Sequence, residues 1–200
     1  MKLSCGLRAH RAALAFAVTI TFAVGPGGAD TTPPAAELIP TYARTELDNG
    51  ITLLLLEHHE LPLVDFELVF RTGSISDPAG REGLADISMA LLRKGTRTRS
   101  AEQLAEELDF LGGELDFSAS YESCGMTAQF LAKDVDAGLD LMADVLLHPT
   151  FPAEELRKLV DLRVDQIREA KDNPRRVIGR YYHGFLFEGH PFGRPVGGTE

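Results

Sequence analysis

The spacing of apolar residues changes its period along this sequence. Residues 64–71 alternate apolar and polar side chains, which predicts a strand with one buried face. Residues 84–93 then carry apolar side chains at helical spacing without glycine or proline, which predicts a short buried helix. A chain whose period changes from two to 3.6 in this way must combine a sheet with helices.

The later segments continue this change of period. A capping box of Ser100 and Gln103 opens a predicted helix over Ala101–Leu111, which Gly112-Gly113 closes. The other predicted elements are hairpins of 43–47 with 51–57 and of 114–120 with 123–131, and helices over 134–147, with Asp134 as its cap, 153–171 and 175–187. Strands, helices, a hairpin and further helices in this order predict an α+β fold with a mixed or antiparallel sheet and helices packed on one face.

The first 29 residues differ in kind from the rest of the chain. They contain three basic residues and no acid, with an apolar run over 12–24 and a stretch of small residues that ends at Ala29. This is the pattern of a secretory signal peptide, and the apolar run is too short to span a bilayer. We therefore expect cleavage near Ala29, an extended leader over 30–41 and a domain over 42–200 with an incomplete C-terminus. The protein is expected to be exported, to a periplasm or out of the cell.

Loss of the signal peptide would make an acidic chain more acidic. The sequence has 20 Lys and Arg against 30 Asp and Glu, and residues 1–29 hold three of the cations, so the formal net charge changes from −10 to −13. This charge disfavours nucleic acid and anionic membrane surfaces as partners, and no stable membrane insertion is expected. Cys124 is the one cysteine outside the signal peptide, and we expect it to be buried in a strand.

Several residues are expected to serve the fold alone. The apolar stripe of helix 153–171 and five phenylalanines are predicted core residues: Leu156, Leu159, Val160, Val164, Ile167, Phe66, Phe70, Phe110, Phe117 and Phe130. The adjacent His58 and His59 point to opposite sides of a strand end and are expected to be solvated. Asp86 is a lone carboxylate on a short helix, so we expect it to be solvated or to cap.

Five segments share the order and spacing of one known family. They are Leu47-Asp48-Asn49-Gly50, residues 71–78 (RTGSISDP) leading to 83–85 (GLA), residues 94–100 (KGTRTRS), residues 108–113 and residues 190–199 (HPFGRPVGGT). Over 47–199 the sequence resembles the pitrilysin/insulinase family of zinc peptidases, the inverzincins, whose signature is H-x-x-E-H on a helix. The resemblance implies the N-terminal half-domain of a pitrilysin/mitochondrial-processing-peptidase-like fold, with zinc, peptide substrates and clam-shell chambers built from homologous halves.

The positions that carry the zinc chemistry of that family are all changed here. Its two His and the Glu between them correspond to Asp86, Met89 and Ala90, and its later Glu ligand corresponds to Gln166. Helix positions i, i+3 and i+4 share a face, so the family directs two imidazoles and a base at one metal. A thioether cannot be that base, a methyl group cannot bind metal, and an amide is a poor zinc ligand. We therefore expect no catalytic residue, no metal ligand and no cofactor.

Three functional hypotheses follow from the resemblance. The first is an exported, non-catalytic subunit that forms a heterodimer with an active zinc-peptidase homologue and helps to enclose peptides. The second is an active zinc metalloendopeptidase with a non-standard ligand set, such as Asp86 with His58 or His59. The third is a structural scaffold subunit without affinity for peptides. The number of zinc ligands separates the active-peptidase hypothesis from the other two, because a zinc site needs about three protein ligands and catalysis also needs a base.

Overall fold

The computed structural model describes residues 40–199, except for the side chains of Arg176 and Arg180. The predicted signal peptide and most of the predicted leader lie outside these residues. The first described unit is an antiparallel hairpin of β1 (Ala43–Glu46) and β2 (Thr52–Leu55). Its turn forms as predicted, because Gly50 adopts a positive φ of 82° and Asn49 Oδ1 accepts a hydrogen bond from the Ile51 N–H at 3.1 Å.

The second unit begins at His58 and contains a three-stranded antiparallel sheet. Its strands are β3 (Leu63–Phe70), β4 (Glu114–Ala119) and β5 (Cys124–Leu131), in the order β3-β5-β4. The central strand β5 pairs with both neighbours, and its Met126 lies opposite Leu68 on one side and Phe117 on the other. The predicted α+β class is confirmed, and every strand pair is antiparallel.

In the described part of the chain, five α-helices accompany the sheet: α1 (Leu84–Leu91), α2 (Ala101–Leu111), α3 (Val135–Leu147), α4 (Ala153–Lys171) and α5 (Pro174–Leu186). The predicted capping box at Ser100 forms in both directions, and Gly112 ends α2 at a φ of 58°. Asp134 occupies the predicted N-cap position of α3, but it does not cap the helix with its side chain. Its side chain makes no capping hydrogen bond and pairs with Lys133 at 3.0 Å instead. The reason is a 3₁₀ turn at Ala132–Asp134, which leads the chain into α3.

The main core lies between one face of the sheet and helices α2 and α3. Phe130 and Met126 of β5 and Leu141 and Val145 of α3 are fully buried there. Gly138 allows this packing, because a Cβ at that position would lie 2.5 Å from the Phe130 ring. Side chains on the opposite face of the sheet, such as Val69, are exposed. The helices therefore cover one face of the sheet, as predicted.

Two predictions about the core are wrong. Phe110 is 90% exposed, because α2 turns Leu104 and Leu108 toward the core and Phe110 lies on the other side of the helix. In the α4 stripe only Ile167 is buried, and Val160 is 38% exposed. The main contacts of α4 in the described chain are with α1 and α5, which explains why most of its stripe is uncovered. Within residues 40–199, no helix combines the length and the hydropathy needed to cross a membrane.

Candidate functional site

The start of α1 is held by Asp77, a buried residue of the preceding loop. Its carboxylate accepts hydrogen bonds from the Gly83 N–H at 2.9 Å and from the Ala85 N–H at 3.0 Å. Such N–H groups have no partner within the helix, and an anion at this end complements the helix dipole. Asp77 thereby fixes the first turn of α1, which carries Asp86. In the sequence, Asp77 has no signal of its own beyond its place in residues 71–78.

The C-terminal segment 190–199 packs against the same loop. A Cβ at Gly198, whose φ is 84°, would lie 2.5 Å from the carbonyl oxygen of Glu82. The Arg194 guanidinium donates a hydrogen bond to the carbonyl oxygen of Asp77 at 3.3 Å. Residues 71–78, 83–85 and 190–199 therefore meet around the start of α1, which gives a physical reason for their joint occurrence in the sequence.

Asp86 forms an ion pair that the sequence analysis missed. Its Oδ2 accepts a hydrogen bond from Nη2 of Arg163 in α4, and its side chain is only 22% exposed. The expectation that Asp86 is solvated or caps its helix is therefore wrong. The physical reason is the contact between α1 and α4, which joins residues 77 positions apart.

The other two residues on this face of α1 offer no chemistry for hydrolysis. Met89 is buried and packs with Leu92 and Cys124, while Ala90 is partly buried. Cys124 is buried and free, as predicted for a strand residue. Burial raises the pKa of its thiol, and the nearby carboxylates of Asp77 and Asp86 raise it further. The thiol is therefore an inert packing group and not a nucleophile.

Gln166 lies on the exposed side of α4 and contacts the same arginine as Asp86. Its Oε1 accepts a hydrogen bond from Arg163 Nη1 at 3.0 Å. The structure thus joins two of the four positions, Asp86 and Gln166, through one guanidinium. The only signal for this in the sequence is that Arg163 precedes Gln166 by three residues, a spacing that places both on one face of a helix.

These residues do not fit zinc. A zinc site needs about three nitrogen, sulfur or carboxylate ligands around one point, and among residues 40–199 no three His, Cys, Asp or Glu side chains are grouped so that they could hold a metal. The proposed alternative set of Asp86 with His58 or His59 is not brought together. His58 is 70% exposed and lies 3.9 Å from Glu60, whereas the carboxylate of Asp86 is bound to Arg163.

A second polar cluster joins side chains of the 94–100 segment to α3. Asp144 of α3 is buried, and its Oδ2 accepts hydrogen bonds from the hydroxyls of Thr96 and Thr98 at 2.7 Å and from Arg99 Nη1 at 2.8 Å. Burial opposes the charge on this carboxylate. The hydrogen bonds from Thr98, Thr96 and Arg99 outweigh burial and hold the pKa of Asp144 well below its usual range.

A polar cavity of about 520 Å³ lies beside this cluster. The Arg99 guanidinium, which lines the cavity, is already paired with Glu107 at 2.9 Å and with Asp140 and Asp144 at 2.8 Å. His148 at the end of α3 lies 3.3 Å from Asp144. Because these groups satisfy one another, the cluster connects the 94–100 segment to α3.

The fold and the site together define an α+β half-domain in which no group of His, Cys, Asp and Glu among residues 40–199 could hold zinc. A family model described as Insulinase (Peptidase family M16) matches residues 53–200, and the chain belongs to this family. The resemblance seen in the sequence is therefore confirmed.

The sequence is similar to several curated proteins. It is 30% identical over 155 residues to an uncharacterized zinc protease of Rickettsia bellii, covering 78% of this chain and 38% of that protein. It is 34% identical over 170 residues to an uncharacterized zinc protease of Mycobacterium bovis, covering 83% and 37%. It is 24% identical over 171 residues to subunit 1 of the mitochondrial cytochrome b-c1 complex of Bos taurus, covering 86% and 35%.

The fold is similar to that of a crystal structure described as a peptidase M16 inactive domain, from Pseudomonas fluorescens. The TM-score is 0.76 with 24% sequence identity, over 79% of this chain and 39% of that one. At this identity the match supports the fold. The chain spans a little over one third of the length of these relatives.

Proposed function

We propose that this protein is a non-catalytic member of the insulinase family that assists an active zinc-bearing homologue. One observation carries the proposal: of the four residues that the resemblance assigns to the family's zinc chemistry, Asp86, Met89, Ala90 and Gln166, the two polar ones are both bound to Arg163. No base and no open ligand remain at the start of α1. The likeness in fold to a domain described as inactive supports this function.

We further propose that the protein forms a heterodimer with the active homologue and helps to enclose peptide. An exposed apolar face on α5 supports a protein partner: Ile178, Tyr181 and Phe185 are 68%, 69% and 84% exposed. Their spacing of three and four residues places them on one side of the helix. Contiguous apolar surface of this kind is typical of interaction sites.

The test is metal content and peptide hydrolysis of the purified protein, alone and mixed with a zinc-containing homologue from the same source. We expect no stoichiometric zinc, no hydrolysis alone and increased hydrolysis in the mixture. About one zinc per chain with chelator-sensitive hydrolysis by the protein alone would instead support an active peptidase with a non-standard ligand set.

A matched pair of variants tests whether α5 takes part in pairing. Phe185→Asp should weaken co-elution with the homologue on size exclusion. Phe110→Asp is the control, because Phe110 is equally exposed, at 90%, and lies on α2. Equal effects of the two variants would argue against an interface on α5.

The second candidate function is a structural scaffold, which the similarity to a cytochrome b-c1 complex subunit favours. A scaffold would assemble with its partner without binding peptide. Fluorescence anisotropy with a labelled peptide library, measured on the assembled pair and on the homologue alone, separates the two. A peptide affinity that does not change on pairing favours the scaffold.

Export is a further part of the proposal. It rests on the basic start, the apolar run over 12–24 and the small residues before Asp30. N-terminal sequencing of protein recovered from the periplasm or the medium should find a chain that begins near Asp30. An intact Met1 in exported material would contradict it.

A further inference from the structure

One arginine connects two helices at the positions that the family resemblance assigns to metal ligands. Arg163 of α4 directs Nη2 to the carboxylate of Asp86 in α1 and Nη1 to the side-chain oxygen of Gln166, at 3.0 Å for the latter. Asp86 and Gln166 stand at two ligand positions of the family, one from each helix. A single cationic group therefore contacts both.

The pair differs from an ordinary surface salt bridge in its burial and its geometry. The side chains of Asp86 and Arg163 are only 22% and 36% exposed, so both are partly removed from water. Asp86 is the only charged residue of α1. A guanidinium is planar and rigid, with several N–H donors that can bind two acceptors at fixed angles. An ammonium group has no such geometry.

We infer that the Arg163 guanidinium has replaced the metal as the cation that links α1 to α4, and that it keeps this position closed to divalent metal. The inference depends on the assignment of the four ligand positions and is independent of pairing and of peptide binding.

The chemistry predicts that restoring the ligands alone is not enough. A carboxylate introduced at position 166 would form an ion pair with Arg163 in place of binding zinc. A guanidinium does not lose its charge in proteins, so it would also repel an incoming Zn²⁺ from the adjacent position 86. Changes beside a metal's ligands commonly alter metal affinity by about 10–100-fold.

The experiment compares two forms of the full-length protein. The first, the restored variant, carries Asp86→His, Met89→Glu, Ala90→His and Gln166→Glu. The second carries the same changes with Arg163→Met, which keeps an unbranched side chain of roughly the length of the Arg aliphatic stem and removes the charge. Zinc affinity is measured by competition with a chromophoric chelator, after circular dichroism has shown that both fold. We expect the second form to bind one zinc per chain about 10–100-fold more tightly than the first.

Equal zinc affinity in the two forms would overturn the inference, and so would failure of both folded forms to bind zinc, because Arg163 would then not be what closes the site. If either form fails to fold, a double-mutant cycle of Asp86→Asn and Arg163→Met on the native chain decides. We expect the coupling to change the unfolding equilibrium constant at least about 5-fold. The exposed Lys158–Glu154 pair, 3.2 Å apart within α4, is the control, and a coupling no larger than in this pair would refute the linking role.

Discussion

The buried carboxylate of Asp144 offers the sharpest test of what stabilises this fold. Asp144→Asn keeps the shape of the side chain and leaves one oxygen for the hydroxyls of Thr96 and Thr98, so the substitution removes mainly the charge. In the native protein both hydroxyls donate to Oδ2 at 2.7 Å and Arg99 Nη1 donates at 2.8 Å. Asp144 is 6% exposed, so water cannot replace these bonds.

The expected magnitude follows from the number of bonds. A hydrogen bond to a charged group contributes about 1.5–3 kcal/mol and one between neutral groups about 0.5–1.5 kcal/mol. Loss of the charge therefore costs roughly 1 kcal/mol for each of the bonds that Asp144 accepts. Because Arg99 keeps Glu107 and Asp140 as partners, we expect Asp144→Asn to lower the free energy of unfolding by about 2–3 kcal/mol at pH 7.

The pH dependence gives an independent check. The folded-state pKa of Asp144 is depressed, so its contribution is complete well above the unfolded-state pKa of about 3.9 and is lost as pH falls below it. The stability deficit of Asp144→Asn should therefore shrink by about 1 kcal/mol between pH 5 and pH 3.

Urea denaturation followed by far-UV circular dichroism measures both effects, with Asp140→Asn as the control. Asp140 binds the same arginine but is 71% exposed, so its change should cost no more than about 1 kcal/mol. The reasoning fails if Asp144→Asn unfolds within about 0.5 kcal/mol of the native protein at pH 7, or if its deficit stays constant down to pH 3.

Three further tests concern the packing: two matched pairs of substitutions and one thiol reaction. Gly73→Ala should destabilise the protein by more than about 2 kcal/mol, because its Cβ would lie 2.6 Å from two main-chain carbonyl oxygens of the β4–β5 turn. Gly179→Ala is the control and should be neutral or stabilising in its helix, because its Cβ would meet nothing within 4 Å. Urea midpoints that rank the two variants the other way would contradict this. Phe130→Ala should cost about 3–5 kcal/mol and Phe110→Ala under about 1 kcal/mol by the same assay, since they are 0% and 90% exposed. The Cys124 thiol should react with a disulfide reagent only as fast as the protein unfolds, because burial raises the pKa of the thiol and blocks access to it. Rapid reaction of the folded protein would show that the thiol is accessible.

The elements could be predicted from the sequence because their signals are local. The capping box of Ser100 and Gln103 spans four residues, and the turn at Asn49-Gly50 depends on the backbone freedom of one glycine. The alternation of apolar and polar residues within β3 predicts which face of the strand is buried. The exposure of Phe110 could not be predicted in this way, since it depends on which side of α2 meets the sheet and not on the spacing of apolar residues along the helix.

The candidate site shows the same division between local and distant information. The loss of imidazoles at Asp86 and Ala90 is a property of single positions and is visible in the sequence. The role taken by the remaining side chains depends on the contact between α1 and α4, which joins residues 77 positions apart.

A balance of charges could have narrowed the search for a partner of Asp86. A carboxylate that lies alone on a short, mostly apolar helix needs a cation if it is partly buried. Arg163 lies about one turn before Gln166 on the same face of α4. When a family's metal ligands are lost, the ligand positions on neighbouring helices should therefore be searched for a basic side chain as well as for alternative ligands. The anion that remains there needs a positive charge whether or not a metal supplies it.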